Sequence, residues 1–318
     1  GTEIIADERH EWLTWTARAR TSWRTARRNN RLEERPLAKH GVDQRGKRAM
    51  PSIVTTGDIA KSLLVTDKTF FGKRNHSIPV AGALDLPEQS LPIAPYLLGA
   101  WLGDGDATGG GITSADTEIL DEFLKHGVGV TKRSGKYHYG LTGGFHASLR
   151  SMSLIKNKHI PQQYMFASTA QRIALLQGLM DTDGHITPYG RCEFTSTNKG
   201  LAHQVRALVT SLGIQCKIIE GDATLNGLVI SKKYRITFTP HIQVFRLERK
   251  AKYVKPAVSP RIRHRFIVDC SRIESVPVKC IQVDSESHLY LASEALIPTH
   301  NSLMLSQILL GLMAQGER

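Results

Sequence analysis

His300, Asn301 and Ser302 set an imidazole, a carboxamide and a hydroxyl side by side, just ahead of an apolar tail. An Asn side-chain nitrogen can attack its own backbone carbonyl, close a five-membered imide and cut the chain after Asn301. Ser302 can first capture an acyl group. Amide nitrogen is a poor nucleophile and an amide a poor leaving group, so the step needs fixed geometry and a proton donor, which His300 is placed to supply. Taken alone, the same tripeptide reads as a polar turn or a helix cap.

A second constellation is a pair of carboxylates. Leu97-Leu98-Gly99-Ala100-Trp101-Leu102-Gly103-Asp104-Gly105 has a degenerate counterpart in Leu176-Gln177-Gly178-Leu179-Met180-Asp181-Thr182-Asp183-Gly184. Each reads as an apolar helix ending in Asp-Gly. A helix C-terminus disfavours an anion by about 0.3–1 kcal/mol. A bound cation removes that conflict, and oxygen ligands from two helix ends suit Mg²⁺, with Asp104 and Asp183 as the metal-binding pair. Small residues at Gly99, Gly103, Gly178 and Thr182 would let the helices approach and bring the acids together. Gly105 and Gly184 are expected to be left-handed residues that stop each helix. Two metal-binding carboxylates on a basic chain suit phosphodiester hydrolysis. The bland alternative is that Asp-Gly is a common turn.

The elements around these motifs recur between Pro95 and about Tyr253. Thr113-Ser114 and Thr195-Ser196 each open an amphipathic helix, one with Ile119, Leu120 and Phe123, the other with Leu201, Val205, Leu208 and Leu212. Strand-like patches come next at 137–142 and 234–239, so the order of elements repeats over some 150 residues. Before this region, residues 2–15 look strand-like, 18–48 crowd arginines and lysines, 56–64 read as a short helix and 78–95 as a proline-punctuated connector. The basic segment reads as a solvated insert or as a phosphate-contacting arm. Short alternating strands return over 265–297, including 280–283 and 289–292.

The chain has 318 residues and a net charge of +13, with a pI near 9.7. Two domains are expected. The charge favours a polyanionic partner such as nucleic acid, or serves solubility. No apolar run reaches the roughly 18 residues of a membrane span and no signal peptide is recognised at Gly1, so a cytoplasmic protein without a membrane partner is expected. Cys192, Cys216, Cys270 and Cys280 are widely spaced and indicate neither a zinc site nor a disulfide framework.

Both nonamers resemble the LAGLIDADG motif of homing endonucleases, the second closely, the first with Trp101 and Gly103 as departures. The resemblance implies two αββαββα halves about a pseudo-twofold, β-sheets that saddle double-stranded DNA, and Asp104 and Asp183 as metal-binding catalytic acids using Mg²⁺. Lys158, in Asn157-Lys158-His159-Ile160-Pro161, matches the family's lysine near the first site, and Lys250 more weakly near the second; either reads otherwise as a surface charge.

The flanks resemble the protein-splicing (Hint) domain of inteins, in particular inteins of replicative DNA helicases. The motifs are Asp7-Glu8-Arg9-His10, Val278-Lys279-Cys280-Ile281-Gln282-Val283-Asp284, His288-Leu289-Tyr290-Leu291-Ala292 and His300-Asn301-Ser302. The resemblance implies that His10 polarises the upstream scissile bond, Ser302 takes the N-terminal flank as an ester, Asn301 cyclises, and His300 and His288 assist proton transfer without a cofactor. Cys280 matches a coordinating position. Cys280 and His288 also read as buried structural residues.

The fold expected is α+β: a discontinuous all-β Hint horseshoe interrupted by the endonuclease. Its parts are residues 1–90, carrying the basic insert at about 18–50, then 91–261 for the endonuclease, 262–301 for the rest of the Hint domain, and 302–318 for the start of the host sequence. Inteins begin with Cys or Ser, so a chain starting at Gly1 is expected to need a separate upstream segment for complete splicing. The tail resembles the helix that begins after the Lys of a P-loop, which suggests a P-loop ATPase or replicative helicase as host. A freestanding homing endonuclease, or an endonuclease fold kept only for DNA binding, stands as the alternative.

Overall fold

The computed structural model describes residues 2–28, 50–66, 68, 71–255, 263–277, 281 and 283–300. Cys280, Asn301, Ser302, the 302–318 tail and most of the basic segment lie outside these described residues. The chain divides into two compact units, Gly1–Ala81 with Ser259–Arg318, and Gly82–Val258.

In the first unit, β1 (Glu11–Thr14) and β2 (Ser52–Thr55) pair antiparallel, with Glu11 opposite Thr55. Between them in sequence comes α1 (Ala17–Arg28). The segment expected as an insert from residue 18 thus begins as a packed helix. Ala17 and Ala19 are buried, and the Arg20 guanidinium donates to the carbonyls of Trp15, Asn75 and Arg74 and to Ser77 Oγ. Small alanines allow close approach, and the multiple acceptors offset the cost of withdrawing a charge from water. Next, α2 (Thr56–Lys61) opens on a reciprocal Thr55 and Asp58 capping box. β3 (Ser77–Pro79) then meets the end of β1 through a Trp15 to Ser77 bridge.

The second unit repeats one plan. α3 (Pro95–Asp104) starts with Pro95, pre-set for a helix. After it come β4 (Gly111–Thr113), α4 (Thr117–Lys125), β5 (Val130–Lys132) and β6 (His138–Leu141), the strands in the order β4-β6-β5. Two short helices, α5 (Phe145–Ser151) and α6 (Gln162–Met165), lead to α7 (Thr169–Thr182), opened by a Ser168 and Gln171 capping box. Then come β7 (Gly184–Ile186), β8 (Cys192–Ser196), α8 (Lys199–Ser211), β9 (Cys216–Leu225), β10 (Leu228–Phe238) and α9 (Glu248–Ala251), with strand order β7-β8-β10-β9. Through their strands and first two helices the two runs match once a lone Gly105 to Ile112 bridge is set against β7, where Gly184 pairs with Phe194. The first half has shortened that strand to a single residue. The Thr-Ser pairs close β4 and β8 rather than opening helices; Asp116 and Asn198 precede α4 and α8.

Along β8 and β10 alternate residues, Cys192, Phe194, Ile236 and Phe238, turn into the core, while Glu193, Thr195, Arg235 and Thr237 take the opposite face. α3 is buried along most of its length, which is why it reads as a continuous apolar run, while α7 buries Leu175, Leu176, Leu179 and Met180 together with Arg172 and Asp181.

The chain re-enters the first unit with β11 (His264–Phe266), antiparallel to β3, then β12 (Leu289–Ala292) and β13 (Ile297–His300), which pair with each other. No strand forms at 283, and residues 280 and 282 lie outside the described set. Trp12, Ile59, Ile78, Ala295 and Ile297 form a core drawn from both chain ends. Among the described residues no helix is long and apolar enough to cross a membrane.

Two candidate functional sites

The carboxylate site is built by close helix packing. A Cβ on Gly178 would lie 2.1 Å from the Tyr96 carbonyl, and one on Gly99 2.2 Å from that of Leu175, so both positions require glycine. At Gly103 a Cβ would meet Thr182 Oγ1 at 2.0 Å and come within 3.5 Å of the Asp183 carboxyl carbon. Asp183 therefore sits over the C-terminal end of α3, beside Asp104.

Gly105 and Gly184 play a different part from the one expected. Gly105 has φ −71°, and Gly184 is not among the residues with positive φ. Neither is left-handed. They are glycines because a Cβ would collide with the backbone one turn earlier, at 2.2 Å from the Trp101 carbonyl and 2.4 Å from that of Met180. Each thus turns directly into a strand pairing.

The surrounding protein mass and then the neighbouring Asp104 push Asp183 up to about 6, although its side chain still reaches solvent; Lys158 and Lys250 oppose the rise. Desolvation also raises Asp104, which is half-buried, against the pull of the same two lysines. Two carboxylates whose ionised forms are disfavoured side by side make an oxygen-donor site that a hard cation would relieve. Among the described residues no three His, Cys, Asp or Glu side chains gather as a metal cluster, so backbone carbonyls, water or phosphate would complete the coordination.

Both lysines arrive where sequence placed them, one at each helix end. Lys158 donates to the Gly103 carbonyl at 2.9 Å and lies over the Trp101 ring at 5.2 Å. Its segment is strapped to α8: Asn198 donates to the Lys158 carbonyl, and Gln204 brackets the Ile160 backbone. Lys250 is no surface charge. It is 9% exposed, and its ammonium reaches the carbonyls of Asp181 and Gly184 at 2.7 Å and Met180 at 3.0 Å. Cations here satisfy the orphan carbonyls of α3 and α7 and offset the local negative potential. Burial lowers the proton affinity of both lysines.

Sequence reasoning missed the clamp behind Lys250. Asp181 is buried and accepts from Tyr96 Oη at 2.8 Å and from the backbone N–H groups of Arg246 and Leu247. It anchors the start of α9, which carries Lys250. The first nonamer has Leu102 at the matching place. The early signal was an acid set directly after the apolar pair Leu179-Met180.

The histidine site belongs to the other unit. Asp7 Oδ1 accepts from the Arg9 N–H, and the His10 N–H donates to the Asp7 carbonyl, a local turn that delivers His10 to β1. His10 Nε2 is 2.6 Å from Thr299 Oγ1, and its ring meets Trp12 edge-on at 4.7 Å. Burial and then His300 lower its proton affinity. The His288 and His300 rings are 6.0 Å apart. His288 is left-handed, φ 54°, in a turn closed by its N–H on the Ser285 carbonyl. Three histidines from opposite chain ends thus gather at the end of β13, immediately before Asn301. Thr299 and Glu11, whose Oε2 lies 3.6 Å from His300 Nδ1, were not anticipated.

Residues 170–243 match the LAGLIDADG-like domain family. Over 308 residues the chain is 38% identical to the replicative DNA helicase DnaB of Mycobacterium intracellulare, covering 96% of this chain and 49% of that protein. A 33-residue stretch is 54% identical to DnaB of Mycobacterium leprae (strain TN), 10% of this chain and 6% of that protein. The chain thus spans about half of the first relative and a small part of the second. Among solved structures, mesophilic variants of the homing endonuclease I-DmoI overlap 46% of this chain and 82% of theirs at 16% identity and TM-score 0.34. An I-DmoI variant bound to its target DNA with Mg overlaps 46% and 88% at 18% identity and TM-score 0.33. The family match, the helicase relatives and the chain's own motifs together support an intein carrying an endonuclease-type insert.

Proposed function

We propose that this chain carries a protein-splicing element, with a Hint-type splicing domain formed by the two chain ends and an inserted homing endonuclease. The observation that carries the splicing reading is the meeting of His10 with Thr299, nearly 290 positions away in sequence, beside the contact of His300 with His288. A polar turn at 300–302 gives no reason for such a meeting. In the reaction the Asn301 carboxamide nitrogen attacks the Asn301 carbonyl carbon and loses a proton. The bond to the Ser302 nitrogen breaks, and that nitrogen gains a proton. His300 is placed to move the proton, as an imidazole beside the scissile bond. Ser302 supplies the hydroxyl for the preceding acyl transfer, and Cys280 is assigned to coordinating the two steps.

For the insert, Asp104 and Asp183 are assigned as the acids that would hold Mg²⁺, which when bound activates water and stabilises the leaving oxygen in phosphodiester hydrolysis. Lys158 and Lys250 fix the helix ends and balance the pair's charge. Double-stranded DNA is the assigned substrate, met by the open sheet faces, where Arg235 and Thr195 stand on adjacent strands. The host is assigned as a replicative helicase, and the setting as cytoplasmic.

The test is the intact mass of the purified chain over time against Asn301→Ala. Time-dependent cleavage after residue 301, abolished by the substitution, is expected. Cleavage that survives it would refute the splicing role. Plasmid nicking that needs Mg²⁺ and is lost in Asp104→Asn and Asp183→Asn tests the nuclease; DNA binding without nicking in the unsubstituted chain leaves a binding module instead.

A further inference from the structure

We propose that Asp116 and Glu122 are positioning residues for Lys250, and that they make its end of the carboxylate site yield to salt while the Lys158 end does not. This rests on the nuclease function proposed above. Each lysine segment is strapped by a helix of the opposite half, and the straps come from matching positions. Asn198 precedes α8 and Gln204 stands six residues further on; Asp116 precedes α4 and Glu122 stands at the same offset. On the Lys158 side both strap residues are amides bonded to backbone. Asn198 Nδ2 donates to the Lys158 carbonyl at 2.9 Å, while Gln204 accepts from the Ile160 N–H at 2.8 Å and donates to its carbonyl at 3.1 Å. On the Lys250 side both are carboxylates bonded to arginines. Asp116 accepts from Arg249 Nε at 3.0 Å and Nη2 at 2.8 Å, and Glu122 accepts from Arg246 Nη1. Asn198 also caps α8 by accepting from the Leu201 N–H, whereas Asp116 makes no such cap bond and is given over to Arg249.

A two-point contact between carboxylate and guanidinium fixes orientation as well as distance. Arg246 is fixed further by Gln177 Oε1 at 3.0 Å and by the Tyr96 ring 4.2 Å away, so the segment carrying Lys250 is held against α4 at two points. Burial and then Arg249 lower the proton affinity of Lys250, and Asp116 is among the carboxylates that oppose them. The arginine side chains are 57% and 36% exposed, which leaves both pairs open to screening by dissolved ions. Bonds from a neutral amide to backbone carry no net charge and are not screened in this way. Salt therefore loosens α9 and leaves the Lys158 segment in place. A pseudo-twofold site on a duplex presents one end to each strand, so the cutting of one strand suffers first. Salt also weakens DNA binding as a whole, but that acts on both strands together, and the ratio of the two isolates the strap.

The experiment follows hydrogen exchange on the full chain without DNA at about 0.05 M and about 0.5 M NaCl, at the Lys250, Ala251 and Lys252 amides and at the Ile160 amide. The higher salt is expected to speed exchange at the first three about fivefold and to leave Ile160 unchanged. Asp116→Asn combined with Glu122→Gln is expected to bring α9 to the faster rate at low salt and to remove its salt dependence. Asp116→Glu, which keeps the charge, is expected to retain it. Exchange at α9 that ignores salt, or a loss of protection at Ile160 as large as that at α9, would overturn the proposal. The second readout is Mg²⁺-dependent nicking of each strand of a duplex selected from a randomised library by binding to the chain, at saturating protein. The ratio of the two strand rates is expected to shift about fivefold with salt in the unsubstituted chain and to stay constant in the double variant; a ratio that salt leaves unchanged would overturn the link to Lys250. A chain that shows the exchange pattern and nicks neither strand upholds the strap on α9 while refuting the nuclease function.

Discussion

The two units handle buried ionisable groups in opposite ways. In Gly82–Val258 the groups at the helix ends are charged and rigidly satisfied: Lys250 caps α7, Lys158 caps α3, and Asp181 holds two backbone N–H groups. In the other unit, Arg20 apart, the buried groups are imidazoles set against hydroxyls, His76 between Thr14 and Ser62, His264 beside Ser77, and His10 beside Thr299. Burial and then Arg20 depress His76, while burial together with Arg20 and Arg24 holds His264 down to about 4. Fixed charge suits the cation site proposed for the insert, and neutral imidazole suits the proton transfer proposed for the chain ends. The difference comes from packing: two helix ends offer a surplus of carbonyls to cations, whereas paired strand ends offer side-chain hydroxyls.

The helix-end arrangement breaks most severely at the crossing point. Gly178→Ala places a methyl against backbone, so a loss of about 4 kcal/mol or more is expected, read from the urea midpoint. Gly103→Ala meets side-chain atoms, those of Thr182 and then Asp183, in place of backbone and is expected to cost less.

Next come the lysines. Lys250→Met strands several buried carbonyls and is expected to cost about 3 kcal/mol, against about 1 kcal/mol for Lys158→Met, which leaves one carbonyl unmet. Equal losses would mean that the two helix ends are equivalent despite their geometry.

Asp181→Asn tests the clamp. Its amide retains one acceptor oxygen in place of two, so a loss of about 1–2 kcal/mol is expected, together with faster hydrogen exchange at the Arg246 and Leu247 amides.

A further effect is expected from acid. His264 titrates near 6.5 when unfolded and near 4 when folded, so the unfolded chain takes up the proton first. The stability contributed is complete above about pH 6.5 and is lost as pH falls through that window toward 4. Thermal melting at pH 7.5 and 5 is expected to differ by several degrees, and His264→Gln is expected to narrow the gap.

Much of the carboxylate site was legible in the chain itself. The repeated apolar nonamers specify two buried helices, their small residues specify a close crossing, and the crossing sets Asp104 beside Asp183. All of this is local pattern, and helix packing converts local pattern directly into proximity. The motif histidines were legible in type and place, but not in their company. Glu11 and Thr299 acquire meaning only when β1 lies against β13, and Asp181 only when a loop 65 residues away presents its N–H groups. The depth of Lys250, the strand shortened to one bridge after Asp104, and the reason that Gly105 and Gly184 are glycines were likewise decided by tertiary structure. In each case the deciding contact is made by the folded chain, and no periodicity or spacing carries information about a contact between segments that share no local repeat.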